Sequence, residues 1–342
     1  MNSCGLSEDK ALSASKEIHF KTSSKPDSVL TLLENNGFTK PYISKLITKR
    51  PSVLSSKPTK TLKPKLDFFI SMGLSGLDLA KFFTSDPNIL LRRSLDKQII
   101  PIFSFLKSIV HTEENVIALL KRSSRVLKHH PGKSLVPNIG YLQDQGVPQS
   151  NISRLLITQP GSLLTNADRF KEIVEEIKGM GLDPLKTAFV IAIHGLTSMS
   201  KSTWEAKLDV FRRWGWSEDE IVTAFRKQPH CMMASEKKIM AIMDFLVNQM
   251  GFSPLIITKH PITPMYNLKK RIIPRCSVIR VLVSKGVVKK NFSISTVLTM
   301  TEKSFLKNYV IKYEQEVPEL LKVYQGQLHC LEPSNSSDIS KF

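Results

Sequence analysis

The sequence predicts an all-α fold, an α-solenoid of about nine repeats of roughly 35 residues. Three observations carry that prediction. A glycine returns at a near-constant step, a proline follows it at a fixed distance, and apolar residues at helical spacing lie between the two.

The anchor of each repeat reads Gly-apolar-(Ser/Thr/Asp/Pro). It occurs at Gly5-Leu6-Ser7, Gly37-Phe38-Thr39, Gly73-Leu74-Ser75, Gly146-Val147-Pro148, Gly181-Leu182-Asp183, Gly215-Trp216-Ser217 and Gly251-Phe252-Ser253, with Gly286-Val287-Val288 as a weaker eighth copy. The steps are 32, 36, 73, 35, 34, 36 and 35, so the step of 73 is two periods and one anchor has lost its glycine near Val110 and His111. Glycine suits the left-handed position that ends a helix, and Ser, Thr or Asp two residues later suits the N-cap of the next. Ser217 with Glu220 adds a capping box. Each anchor is therefore a tight turn between helices.

Fourteen residues after the anchor stand Pro51, Pro87, Pro160 and Pro229, and Ser124 takes that place after the lost anchor. Proline lacks a donor and disfavours helix in the residue before it, so the first helix of each repeat stops there. That helix is amphipathic, with Ile43, Leu46 and Ile47, Leu79, Phe82 and Phe83, Ile152, Leu155 and Leu156, and Ile221, Ala224 and Phe225 on one face. A bend with one 3₁₀ turn follows, then a second helix carrying Leu66, Phe69 and Ile70 or, later, Ile242, Met243 and Leu246. One unit cannot bury its apolar face alone, whereas stacked units can. A single repeat domain is expected over residues 1–330, beginning near residue 5 and closing with a capping helix at about 302–328. The polar residues 331–342 are expected to be disordered.

Lys and Arg number 49 against 30 Asp and Glu, a net charge of +19, which repels itself unless a polyanion offsets it. Nucleic acid is the expected partner, ahead of an anionic membrane surface. No apolar run approaches a membrane span. Cysteines 4, 231, 276 and 330 are far apart and form no Cys-x-x-Cys, so they are read as small hydrophobes in a reducing interior. Catalytic signatures are missing as well. Pro131-Gly132-Lys133-Ser134 ends like a P-loop, but the required earlier glycine is Leu127. His129-His130 and His230-Cys231 lack metal-ligand partners at useful spacing, and His194 is read as a core or surface histidine. No enzyme activity, cofactor or metal is expected, and the chain is expected to be monomeric.

Five stretches are distinctive: Lys201-Ser202-Thr203-Trp204-Glu205, Arg213-Trp214-Gly215-Trp216-Ser217-Glu218, Ala224-Phe225-Arg226-Lys227-Gln228-Pro229, Cys231-Met232-Met233-Ala234-Ser235 and Arg271-Ile272-Ile273-Pro274-Arg275-Cys276. In these, and along nearly the whole chain, the residues resemble the mitochondrial transcription termination factor (mTERF) family, especially its land-plant branch. The resemblance implies a curved left-handed solenoid with two α-helices and a 3₁₀ helix per repeat, and a basic groove for duplex DNA or for RNA. It implies work in mitochondria or chloroplasts, in transcription termination or regulation, with RNA splicing or ribosome assembly as the alternative. Organellar transcription or splicing proteins are the protein partners it implies. Family precursors carry a targeting peptide before the first repeat. Here Gly5 already starts the first repeat and Glu8, Asp9 and Glu17 interrupt the N-terminus, so location rests on the resemblance.

Three stretches are basic and free of acids: Lys40–Lys65, Asn115–Gln143 with Lys121, Arg122, Arg125, Lys128 and Lys133, and Phe245–Thr301. A finer pattern lies 20 and 23 residues after each anchor, at the start of the second helix. Lys25, Lys57, Lys60, Arg93, Lys133, Arg169, Lys201, Lys238 and Arg271 stand there, with Lys270 and Arg275 alongside. Helix N-termini favour phosphate, and a nearby Lys or Arg adds a donor, so these residues are the expected nucleic-acid contacts. Solvated faces of amphipathic helices are the other reading. Trp204, Trp214 and Trp216 are expected to pack between helices, with stacking on unpaired bases as the alternative. A protein-binding scaffold is the rival to nucleic-acid binding.

Overall fold

A computed structural model describes residues 4–20, 22–128, 131–288 and 293–326. The tail at 331–342, the His129-His130 pair, Cys330, Lys289 and Lys290 lie outside the described residues. Among the described residues every regular element is helical. The chain forms two compact units divided between residues 174 and 175.

The repeats are pairs of helices, here helix A and helix B. In the first unit the pairs are Glu8–Glu17 with Ser24–Asn35, Lys40–Lys49 with Lys63–Ser71, Gly76–Ser85 with Ile100–Val110, and Glu113–Arg122 with Leu135–Asp144. The fifth pair, Gln149–Thr158 with Ala167–Gly179, runs across the division. The second unit holds Thr187–Thr197 with Lys201–Arg213, Glu218–Lys227 with Glu236–Asp244, Ile256–Lys259 with Ile273–Ser284, and Ile294–Thr299 with Glu302–Phe305. Numbered in order, these are repeats 1 to 9.

The anchors end helix B as the glycine pattern predicts. At Gly37 φ is +84°, the glycine N–H donates to the Glu34 carbonyl, and the Phe38 N–H reaches back to Leu33 at 3.1 Å. These two bonds satisfy carbonyls that the helix end leaves open. A Cβ at Gly37 would stand 2.7 Å from the Cα of Gly76, so this glycine also permits the next repeat to approach. The lost anchor proves to be displaced by one residue. Val110 stays helical and buried, and the left-handed position passes to His111, with φ +72°. Thr112 then caps the next helix, accepting from the Asn115 N–H. The Ser217–Glu220 capping box forms as expected.

The proline-bounded bend is a 3₁₀ helix at Pro51–Ser55, Pro160–Leu164 and Pro229–Met233, and a short α turn at Pro87–Leu91. Helix B opens with a wide π turn at Pro58–Leu62, Leu95–Ile99 and Leu268–Ile272. Each is followed two residues later by a proline, Pro64, Pro101 or Pro274. That proline has no N–H for an i−4 bond, and the first turn widens around the missing donor. Pro318 similarly divides the stretch expected as one capping helix. Helical turns run from Glu302 to Tyr313, and a separate helix follows at Leu320–Tyr324.

The residues at the predicted face positions of helix A are all buried, from Ile43, Leu46 and Ile47 to Ile221, Ala224 and Phe225. Cys4, Cys231 and Cys276 are buried and in no disulfide among the described residues, and burial pushes Cys231 and Cys276 up to about 12, which makes these two unreactive packing residues. No helix of the described residues is long and apolar enough to cross a membrane.

Candidate nucleic-acid interface

Within each unit, helix A ends and helix B begins at the bend, so the bends form one edge and the anchors the other. Helix dipoles favour carboxylates at N-termini and cations at C-termini. The helix A sequences follow that rule. Asp78, Glu113, Glu114, Glu218, Asp219 and Glu220 lie in first turns near the anchors, whereas Lys49, Lys121, Arg122, Arg226 and Lys227 lie in last turns near the bends. Some cations near the anchors are neutralised, whereas Lys40, Lys186 and Arg213 there are exposed and have no ion pair among the described residues. Lys107 pairs with Glu113 at 2.8 Å, Lys178 with Glu175 at 3.0 Å, and Arg212 with Asp209 and Glu218 at 2.7 and 2.5 Å.

The ten cations expected to contact nucleic acid all map to the start of helix B or its approach, but they divide into three kinds. Lys57, Lys60, Lys133, Lys201 and Lys270 are exposed and have no ion pair among the described residues. Arg93 is half-buried, and Arg169 is paired with Glu172 of its own helix at 2.9 Å. Lys238, Arg271 and Arg275 instead bond the bend of the following repeat. Lys238 Nζ donates to the Met265 carbonyl at 2.9 Å, and Arg271 Nε donates to Leu298 at 2.9 Å while its Nη2 donates to Met300 at 2.7 Å. Arg275, expected at the interface, is fully buried. Its Nη1 donates to the Val297 and Met300 carbonyls at 2.8 Å, and its Nη2 pairs with Glu302 at 3.0 Å. Its place is the interior, because bend carbonyls at that depth have no water to accept from.

This bond recurs, and residue-type patterns at the bends did not reveal it. Lys65 Nζ donates to Leu90 at 2.5 Å, Asn138 Nδ2 to Leu163 and Thr165 at 3.1 and 2.8 Å, and Lys207 Nζ to Met232 and Ala234 at 2.7 and 2.5 Å. In each case a helix B side chain satisfies carbonyls at the end of the next repeat's bend. Its signal lies on the apolar face of helix B, where one polar residue stands three after and four before a hydrophobe. The sets are Leu62-Lys65-Phe69, Leu135-Asn138-Leu142, Trp204-Lys207-Phe211 and Ile272-Arg275-Ile279.

The first unit also has an open cleft of about 800 Å³ that runs from helix A of repeats 3 and 4 to the bends of repeats 4 and 5. Lys81, Lys121, Arg122 and Arg125 line it, with Asp78 as the one carboxylate. Ser85 and Ser124 bridge two repeats across it, with their hydroxyls 2.8 Å apart. Its walls offer cations and small hydroxyls, which suit phosphate oxygens.

The tryptophans pack, as expected. Trp216 stacks on Phe211 and its Nε1 donates to the Pro254 carbonyl at 3.1 Å, Trp204 meets Phe225 edge-on, and Trp214 Nε1 lies 3.4 Å from Met240 Sδ. His194 is half-buried, and burial lowers its pKa. Among the described residues no group of three or more His, Cys, Asp or Glu is placed to hold a metal ion.

The family model for mTERF matches residues 30–195 and 193–306. The chain is 21% identical to the mitochondrial transcription termination factor MTERF15 of Arabidopsis thaliana, over 83% of this chain and 79% of that protein. It is 23% identical to the chloroplastic transcription termination factor MTERF8 of the same plant, over 77% of this chain and 51% of that protein. A helical-repeat chain matched over most of its length in this way belongs to the mTERF family, in its land-plant branch.

Proposed function

We propose that this protein binds nucleic acid along the bend edge of its repeats and regulates gene expression in a mitochondrion or chloroplast. The observation that carries the reading is a set of exposed cations at the starts of helix B: Lys57, Lys60, Lys133, Lys201 and Lys270 have no ion pair among the described residues. Helix dipoles alone explain cations at the ends of helix A, but not unpaired lysines at the starts of helix B, where the dipole disfavours them. A backbone phosphate would reverse that local penalty. The relatives' names, transcription termination factors of mitochondria and chloroplasts, support a role in organellar transcription.

The ligand is a duplex, DNA or RNA. Single-strand binders present aromatic platforms for bases, and here the tryptophan rings are engaged with Phe211, Phe225 and Met240. Phosphate contacts of this kind fix register and carry no sequence information by themselves.

The test is binding of labelled duplex DNA, duplex RNA and single strands across a salt series. Affinity for a duplex falls linearly on a log–log plot, with a slope near −0.9 per phosphate contact. Replacing Lys57, Lys60 and Lys133 by Gln flattens that slope while melting stays unchanged. A duplex affinity that ignores salt would overturn the reading, and a protein complex that survives nuclease would favour a scaffold.

A further inference from the structure

We propose that the cleft over repeats 3 to 5 is a phosphate seat, and that Asp78 is its built-in competitor, a carboxylate that occupies the cations until nucleic acid displaces it. The inference rests on the nucleic-acid reading and adds a residue that holds the affinity down.

Asp78 lies on helix A of repeat 3, and its Oδ2 is 2.7 Å from Lys121 Nζ on helix A of repeat 4. Its Oδ1 is 3.9 Å from Lys81 Nζ, one turn along its own helix. The bond from Lys121 holds the Asp78 carboxyl below the usual carboxylate range, so the ion pair is fully charged at neutral pH. Arg122 and Arg125 complete the lining without any ion pair among the described residues. Arg125 also lies against the backbone of repeat 5, where a Cβ at Gly161 would come 3.3 Å from its Nη2. The seat is thus built from three repeats: lysines held by a carboxylate, two uncommitted guanidiniums, and the Ser85–Ser124 hydroxyl pair between them.

A carboxylate and a phosphate oxygen compete for the same donors. An incoming phosphodiester must take Lys121, and to a lesser degree Lys81, away from Asp78, and it meets the Asp78 charge while doing so. A helix-dipole role is the plain alternative, since Asp78 lies in the first turn of Gly76–Ser85. The two roles predict opposite results. If Asp78 serves only its helix, Asp78→Asn costs a little stability and leaves binding as it was.

The experiment compares Asp78→Asn with Asp67→Asn. Asp67 is a carboxylate of similar exposure, paired with Lys63 on helix B of repeat 2, and both changes add the same net charge. Salt series are run with duplex DNA and duplex RNA, and tripolyphosphate binding is followed by calorimetry. Asp78→Asn is expected to bind duplex roughly two- to fivefold tighter than Asp67→Asn at low salt, as an exposed ion pair allows. Its salt slope is expected to steepen by up to about 0.9 per freed cation. Equal behaviour of the two variants toward both duplex and tripolyphosphate overturns the competitor role. If no form binds either duplex while tripolyphosphate still prefers Asp78→Asn, the phosphate seat stands and the nucleic-acid reading falls.

Discussion

Lys207 extends its ammonium out of helix B of repeat 6 and donates to the Met232 carbonyl of repeat 7 at 2.7 Å, at a site where the lysine is almost completely buried. Burial lowers its pKa, and the compensation comes from two carbonyls. The bond joins neighbouring repeats at the bend edge, so it fixes the spacing between successive helix B starts. That spacing is what a row of phosphate-binding cations requires.

Replacing Lys207 by Met keeps the length of the side chain and removes the donor. Two bend carbonyls then lose their partner, which costs about 1–3 kcal/mol each when buried, while relief of the buried charge offsets part of that. Urea unfolding of Lys207→Met should show a net loss of about 1–3 kcal/mol. An unchanged midpoint would show that water satisfies those carbonyls.

Lys65 gives the pH-dependent counterpart. Burial brings its pKa down from 10.5 to about 8. Between pH 8 and 10.5 the unfolded chain therefore holds a proton at this site that the folded chain has released. Stability rises with pH wherever the unfolded state binds more protons, so Lys65 contributes an increase across that window and nothing below it. The increase is at most about 3 kcal/mol. The difference in unfolding free energy between wild type and Lys65→Met, followed from pH 7.5 to 10.5, should carry this rise. A flat difference would mean that the Leu90 carbonyl holds the ammonium charged throughout.

Arg275 is more severe. Its guanidinium is buried over the Phe305 ring, 4.8 Å from the centroid, and also holds Glu302. Arg275→Ala removes the side-chain donor of the Val297 carbonyl, while Met300 keeps Arg271 and Glu302 keeps Tyr324. A loss of about 3–5 kcal/mol is expected, with unfolding beginning in the second unit by hydrogen exchange. Duplex affinity of the protein that remains folded should keep its salt slope, which separates this residue from Lys270.

Much of this architecture was legible in the sequence because its determinants are local. A left-handed glycine, a proline without an N–H and a three-four apolar spacing each constrain the few residues around them, and all three recur. His111 was legible only as a gap, since nothing local distinguishes a displaced turn from a lost one. The roles of Lys238, Arg271 and Arg275 were not legible at the bend, because their acceptors lie 22 to 29 residues away in the next repeat. For Lys65, Asn138, Lys207 and Arg275 a local mark existed, a polar residue inside an apolar face. The cleft had no such mark, because three repeats must stack before Lys81, Lys121 and Arg125 share a wall.

His111 offers the cleanest test of the displaced anchor. A non-glycine residue in the left-handed region costs about 1–2 kcal/mol, and glycine there costs only some extra chain entropy, about 0.5–1 kcal/mol. His111→Gly should therefore stabilise the protein by up to about 1 kcal/mol and raise the melting temperature by a few degrees. Val110→Gly should do the reverse, because residue 110 is helical and its side chain is buried. That change deletes core contacts and places glycine inside a helix, a loss of more than about 2 kcal/mol. Were the turn centred on 110 instead, the two substitutions would exchange their effects, so thermal melts of the pair decide which residue carries the turn.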